Sequence, residues 1–398
     1  MKKTLRVSLI AACALASVQT YSLAADNISQ AFAEGKVKGQ VKSYYFSKSY
    51  DSTTKKDGSI LVSGMQLGYK TGSLHGFSLG ATSQFATVNS IDDDSSVYSG
   101  TMDNSGTVTS EMYLQYDIDK TTAKAGRQFF WTPVVGGSGS RFIRQSFSGY
   151  TLTNASFENT KIVAAYLTRF AERTDKNGGP GDFTAESSRV GIDGTMTAYV
   201  KNSSVENLTL QAQYASKSES TQNAKDGHDI LYVDGTYKFK NDMKPFIAAQ
   251  YLSTDYEASN SESSSAMGLK VGATISGVNA YVAYTSVDKD NNVKQGIGSG
   301  SIPLYTNGHQ VDAWSATLAD TTAYKIGLGY KMDTLSLGFA HSSYDKEGKD
   351  KVSETGVTVA NKFSKQLMLQ LQYATVKNQY VAEADIEKDL RTRLIYSF

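Results

Sequence analysis

The chain is built largely of short segments in which apolar and polar residues alternate. In one of them Met267, Leu269 and Ile275 belong to a run in which every second residue is apolar. Polar or small residues fill the positions between them. The same alternation recurs in residues 37–45, 112–118, 208–214 and 367–373. Because a period of two places successive side chains on opposite faces of a strand, the pattern predicts an all-β protein.

The connections between these segments alternate between short and long. Tight turns are predicted near 72–73, 119–120, 158–159, 202–203, 240–242, 277–279, 333–334 and 364–365. Longer polar loops are predicted at about 48–57, 88–107, 131–150, 173–187, 217–228, 255–264, 287–320, 344–352 and 377–387. A soluble β-sandwich also shows alternating strands. The alternation of turn lengths instead favours a transmembrane antiparallel β-barrel of about 18 strands with short periplasmic turns and long extracellular loops. In lipid every backbone amide needs a partner, so such a sheet closes on itself.

The N-terminus has the composition of a secretory signal peptide. Basic residues in the first six positions precede an apolar run over 7–18, and Ser22 and Ala24 supply small residues before a cleavage site. We therefore expect 1–24 to be a signal peptide and 25–398 to form one outer-membrane β-barrel.

Composition refines this picture only slightly. A mean hydropathy of −0.35 is too polar for a bundle of membrane helices. The only cysteine, Cys13, lies within the expected signal, so we expect no disulfide and no thiolate metal site. A lipoprotein box ending at Cys13 is an alternative, but the apolar run continues past it. The formal net charge of +1 gives no reason to expect a nucleic-acid partner.

Residues that could carry catalysis or bind a metal are scattered along the chain. The four histidines fall in turns, loops or strand ends: His75, His228, His309 and His341. None has a carboxylate at metal-ligand spacing, and the pair His341 and Ser342 lacks a recognisable nucleophile motif around it. The glycine-rich stretches 136–140 and 296–300 lack the Lys-Ser/Thr of a phosphate loop. We therefore expect no enzymatic activity, no cofactor and no bound metal.

The last predicted strand ends in an aromatic pattern. Residues 390, 392, 394, 396 and 398 share one parity, and both Tyr396 and Phe398 belong to it. This ending resembles the sorting signal that the barrel assembly machinery of the bacterial outer membrane reads. We therefore expect Tyr396 and Phe398 to act as an assembly signal, and outer-membrane lipid and lipopolysaccharide to surround the protein.

One stretch of about 50 residues, roughly 123–173, carries a resemblance to a known family. Its motifs, in order, are Gly126-Arg127-Gln128, Thr132-Pro133, Gln145-Ser146-Phe147-x-Gly149 and Tyr166-Leu167-Thr168-Arg169-Phe170. Together they resemble the OprD family of outer-membrane porins. The resemblance implies an eighteen-stranded barrel, a third long loop that folds into the lumen as a constriction, and a ladder of basic side chains that guides carboxylate-bearing solutes. Arg144 and Ser148 stand where the family often has Pro and Glu, so the resemblance does not extend to a preference for basic solutes.

The polar faces of the predicted strands carry more basic than acidic residues. If these faces line the lumen, the pore is positive and lowers the barrier to anions. The parity of Arg169 is ambiguous, because apolar residues share it. The residues predicted to line the constriction and set selectivity are Lys38, Lys42, Lys270, Lys325, Arg169, Arg391 and Arg393, with Arg141 and Arg144 in the third loop.

These expectations together predict a porin for passive diffusion of small hydrophilic solutes, with a preference for anions or carboxylates. Two alternatives stay open: a substrate-specific channel for amino acids, small peptides or organic acids, and a barrel whose loops serve as an adhesin or receptor. The sequence allows either a monomer or a homotrimer.

Overall fold

A computed structural model describes most of the chain after residue 24. The described residues are 25–51, 55–92, 96–185, 189–221, 223, 225–258, 261–310, 314–346, 351–378 and 385–398. The expected signal peptide, 1–24, lies outside them. Within the described residues no helix is both long enough and apolar enough to cross a membrane.

The main sheet contains nineteen strands, one of which, Phe183–Ala185, is a short addition beside a longer strand. The other eighteen pair antiparallel in chain order. The first also pairs with the last, from Gln40 opposite Ser397 to Tyr50 opposite Glu387, so the barrel is closed. Its strands are β1 (Lys36–Tyr50), β2 (Gly58–Lys70), β3 (Phe77–Asp92), β4 (Gly106–Ile118), β5 (Thr121–Gln128), β6 (Phe147–Asn154), β7 (Thr160–Ala171), β8 (Thr195–Asn202), β9 (Leu208–Lys217), β10 (His228–Lys238), β11 (Phe246–Tyr256), β12 (Ser264–Ile275), β13 (Val278–Val287), β14 (Thr321–Met332), β15 (Leu335–Lys346), β16 (Val352–Lys362), β17 (Leu367–Asn378) and β18 (Asp385–Ser397).

Short turns lie at one end of the barrel and long loops at the other, as the sequence predicts. Asp119, Asn159 and Asp333 occupy the left-handed region in three of the short turns, with φ of 47°, 52° and 43°. Asp and Asn tolerate this region because their short side chains hydrogen-bond locally. A helix, α1 (Ile28–Ala33), precedes β1, and the Asn27 side chain caps it by accepting a hydrogen bond from the backbone N–H of Gln30.

The two faces of each strand separate apolar from polar residues. Val41 and Met267, on the predicted apolar parity, are exposed on the outside of the barrel, where lipid would cover them. Lys42 and Tyr44, on the other parity of β1, are buried inside. The predicted assignment of faces is therefore confirmed for these strands.

Two long loops fold into the barrel. The third loop (129–146) joins β5 to β6, and the seventh loop (288–320) joins β13 to β14. Val135 and Gly136 pair in parallel with Ile297 and Gly298, which ties the two loops together inside the lumen. The inward position of the third loop confirms the prediction. The inward position of the seventh loop is a finding that the sequence pattern did not indicate.

Candidate pore constriction

Two large cavities inside the barrel share one wall. The lower cavity, about 800 Å³, lies toward the short turns and includes Lys38 and Phe398 in its lining. The upper cavity, about 770 Å³, lies between the third and seventh loops and includes His309. Three residues of the third loop line both cavities: Gly139, Arg141 and Arg144. This segment therefore forms the partition between the cavities, the position expected of a constriction.

Side chains of the barrel wall hold this segment in place. Gln84 of β3 accepts a hydrogen bond from the Arg144 backbone N–H at 3.0 Å and donates one to the Arg144 carbonyl at 2.9 Å. Lys42 of β1 donates to the Phe142 carbonyl at 2.7 Å. The Phe142 ring packs edge-on against Tyr44, with ring centroids 5.4 Å apart. Because both backbone groups of Arg144 are satisfied by one buried amide, the loop has a defined path across the lumen.

A cluster of arginines lies against one aromatic ring beside this partition. The guanidinium carbons of Arg141, Arg391 and Arg393 lie 5.5, 5.3 and 4.9 Å from the centroid of the Phe46 ring. Phe46 itself is buried. Arg391 and Arg393 come from β18, and Arg393 also donates to the Ser140 carbonyl at 3.1 Å. Attraction between cations and the ring face offsets part of the repulsion among the three charges.

The cluster is positive at neutral pH. Burial, together with Arg391 and Arg173 nearby, lowers the pKa of Arg141 to about 9, and burial lowers the pKa of Arg173 to about 10. Both values lie above 7, so both guanidinium groups stay protonated. Asp389 pairs with Arg391, Nε to Oδ1 at 2.7 Å. The Nε atoms of Arg141 and Arg173 are buried and have no hydrogen-bond partner among the described residues, although both residues line the upper cavity.

The seventh loop covers the carboxylates of the barrel wall. Tyr305 donates a hydrogen bond to Asp234 of β10. The Gln310 backbone N–H donates to Glu354 of β16 at 2.5 Å, and its side chain donates to Asp389 of β18. The acidic side chains are thus engaged with the loop. Arg391 also contacts it, donating to the Gln310 carbonyl at 3.1 Å.

Five arginines line the upper cavity, and no Asp or Glu of the described residues does so. These arginines are Arg141, Arg144, Arg173, Arg391 and Arg393. The lower cavity is mixed, because Glu34 and Glu111 line it together with basic residues. The upper cavity is therefore the more positive of the two.

The predicted lysines face the lumen but have different surroundings. Lys38 lines the lower cavity, and so does Lys42, which also supports the third loop. Lys270 lies over the rings of Tyr281 and Tyr305, 4.3 and 5.5 Å from their centroids. Lys325 donates to the Asn307 carbonyl of the seventh loop at 2.5 Å. Lys42 and Lys325 therefore contact the inward loops directly.

Arg169 does not lie in the pore, contrary to its predicted place. A register shift where β6 pairs with β7, between Ser148 and Gly149, changes which side of the wall each residue faces. Phe170 takes the buried inward position, and Arg169 is exposed on the outside. A β-bulge of this kind breaks the period of two, so parity alone cannot place residues beyond it.

Tyr396 and Phe398 lie at the short-turn end of the barrel, and about half of each side chain is exposed. Their predicted role in assembly stays a prediction.

Sequence reasoning missed Arg173 and the seventh-loop residues Tyr305, His309 and Gln310. His309 reaches β16, where its Nε2 lies 2.7 Å from the Thr358 hydroxyl. The length of the seventh loop could have indicated that it has a role. Compact proteins rarely contain a structureless loop as long as 288–320 unless that loop has a function. Within the described part of the chain, no group of three His, Cys, Asp or Glu side chains could hold a metal ion.

Comparison with known proteins gives a family and a fold. A family model described as outer membrane porin, OprD family, matches residues 30–374. No curated protein sequence matches the chain. Among solved structures, OpdO of Pseudomonas aeruginosa superposes with a TM-score of 0.75 at 14% identity, covering 93% of this chain and 98% of that one. OccAB4 of Acinetobacter baumannii gives 0.74 at 16% identity, covering 94% and 100%. OpdK of Pseudomonas aeruginosa gives 0.75 at 14%, covering 92% and 99%.

Proposed function

Because the chain belongs to the OprD family of outer membrane porins, we propose that it lets small hydrophilic solutes diffuse passively and that it favours anions, above all carboxylates. The observation that carries the preference is the upper cavity, which five arginines line without a carboxylate among the described residues. The proposal includes no catalytic step and no cofactor.

The chemistry of this cavity suits a carboxylate. A guanidinium group stays charged at neutral pH and can donate two parallel hydrogen bonds to one carboxylate. Closely spaced guanidinium groups repel each other, and an anion between them reduces that repulsion.

Ion selectivity of the channel in planar bilayers tests the preference. Under a salt gradient, the reversal potential of the wild-type channel is expected to show anion selectivity. Arg141→Gln is expected to reduce that selectivity because it removes a charge from the wall shared by both cavities. Arg169→Gln is the matched control, because it removes the same charge from the outside of the barrel and should leave the reversal potential unchanged. Cation selectivity of the wild-type channel would overturn the proposal.

The arginine cluster around Phe46 favours a second candidate, a substrate-specific channel for organic acids. Three guanidinium carbons within 5.5 Å of one ring centroid form a built site and not a diffuse positive surface. A specific channel would show saturable uptake and brief current blocks by small dicarboxylates, whereas a general porin would show neither. The third possibility, an adhesin or receptor, gains no support, because the longest loop lies in the lumen.

A further inference from the structure

Two arginines lie on the outer wall of the barrel with one strand between them. Arg127 of β5 pairs with Ser148 of β6, and Ser148 pairs with Arg169 of β7. All three lie at the long-loop ends of their strands, the extracellular end in barrels of this kind. Arg169 is exposed, and neither arginine forms an ion pair with another described residue.

The Arg127 guanidinium group is already held in position. Its guanidinium carbon lies 4.2 Å from the centroid of the Phe183 ring, and its Nη1 donates to the Thr109 carbonyl at 3.3 Å. These contacts occupy one face of the guanidinium plane and one of the five N–H groups of Arg127. The remaining donors are available to an acceptor outside the barrel wall.

An apolar groove of about 320 Å³ runs down the outer wall below these arginines. Its floor includes the small residues Ala123, Ala125 and Ala164, and Leu152 and Tyr150 rise beside it. Small side chains next to large ones leave a channel in a surface that otherwise faces lipid. A flexible hydrocarbon chain fits such a channel, because it gains dispersion contacts along its length.

The barrel wall is low at this place, because β5 and β6 contain eight residues each. From Thr121 to Arg127 β5 spans six residue steps, about 20 Å of strand and about 15 Å along the membrane normal at a tilt of about 40°. The apolar band of an outer-membrane barrel is about 25 Å tall. Arg127 therefore lies below the usual level of the outer headgroups, where a charge is costly unless an anion accompanies it. The same count from Thr160 to Arg169 on β7 gives nine steps and about 23 Å along the normal, so Arg169 lies close to that level.

We propose that this surface is a binding site for a phosphorylated glycolipid of the outer leaflet, the lipid A part of lipopolysaccharide. A phosphate bridges Arg127 and Arg169, and an acyl chain fills the groove lined by Ala123, Ala125 and Ala164. Charge complementarity and the low wall select a phosphate at this depth. The site is on the outside of the barrel, so it is independent of the anion selectivity proposed for the lumen.

Native mass spectrometry of the purified protein with added diphosphorylated lipid A tests the site. The wild-type protein is expected to retain one lipid A, and Arg127→Gln/Arg169→Gln to bind it about tenfold more weakly, because two charge-assisted contacts are lost. Ala125→Leu, which fills the groove, is expected to weaken retention while both charges remain. Lys377→Gln is the matched control for Arg169→Gln, because Lys377 is an exposed cation at the long-loop end of β17.

Unchanged binding in the double variant would overturn the proposal, and so would equal binding of dephosphorylated lipid A or of phosphatidylglycerol. A dimer or trimer that disappears in Ala125→Leu would also overturn it, because a second copy of the chain would then cover this face. Two measurements show whether each variant is folded. One is its single-channel conductance, and the other is the change in its gel mobility when the sample is heated.

Discussion

At the scale of single residues, the anion preference that we propose depends on where each charged group is held. Gln84 fixes the backbone of Arg144, Phe46 supports three guanidinium groups, and Tyr305 and Gln310 donate hydrogen bonds to carboxylates of the barrel wall. The charge of the upper cavity comes from its arginines, and uncharged side chains fix where these arginines and the neighbouring carboxylates lie.

His309 gives a pH-dependent prediction at this scale. Burial, and then the nearby cations Lys325 and Arg391, lower the pKa of His309 below its ordinary value of 6.5. The imidazole is thus neutral at pH 7, and it adds a positive charge to the upper cavity only on acidification below its ordinary pKa. We expect anion selectivity to rise on acidification from pH 7.5 to 4.5, and to rise less in His309→Gln.

The other titratable groups of the lumen are the same in both proteins. The difference between wild type and His309→Gln therefore reports the imidazole. Identical pH profiles would show that His309 does not contribute charge to the pore.

At the scale of elements, closure of the barrel depends on the contact between its first and last strands. The backbone groups of Gly39 and Phe398 exchange two hydrogen bonds, each 3.0 Å long. The Phe398 ring lies over Gly39, so that a Cβ atom there would be 2.4 Å from the ring. Gly39 is therefore needed for the close approach of the terminal aromatic ring and not for a special backbone conformation.

Gly39→Val is expected to displace the Phe398 ring and lower the yield of assembled barrel in the outer membrane. The folded fraction on a heat-modifiability gel measures this. Gly329→Val is the control, because the nearest atom to its new Cβ would lie 4.0 Å away. Equal yields of the two variants would show that the position of the terminal ring is not required for assembly.

At the scale of the whole molecule, the two inward loops act together. Their pairing at Val135 and Ile297 places the seventh loop beside the third, and the seventh loop then covers carboxylates on β10, β16 and β18. One arrangement of the two loops therefore occupies the lumen and engages three carboxylates of the wall.

Removing most of the seventh loop tests this joint role. The Val293 N–H donates to the Thr317 carbonyl at 3.0 Å, so a Gly-Gly link can replace 294–316 without straining the barrel. We expect a larger single-channel conductance and weaker anion selectivity, because carboxylates such as Asp234 become free. Asp234→Asn in the shortened protein should restore part of the selectivity, and no change in selectivity after shortening would contradict the covering role.

The sequence by itself determined the barrel, its eighteen strands and the outward face of most of them. These features are local, since a period of two and alternating turn lengths are both visible along the chain. The tertiary structure decided the rest. It placed Arg169 outside through a bulge, joined Arg141 of the third loop to Arg391 and Arg393 of the last strand, and folded the seventh loop over Asp234. Such contacts join residues far apart in the chain, so no local periodicity predicts them. Burying a loop costs conformational entropy, and its backbone groups need hydrogen-bond partners that residues of distant strands supply.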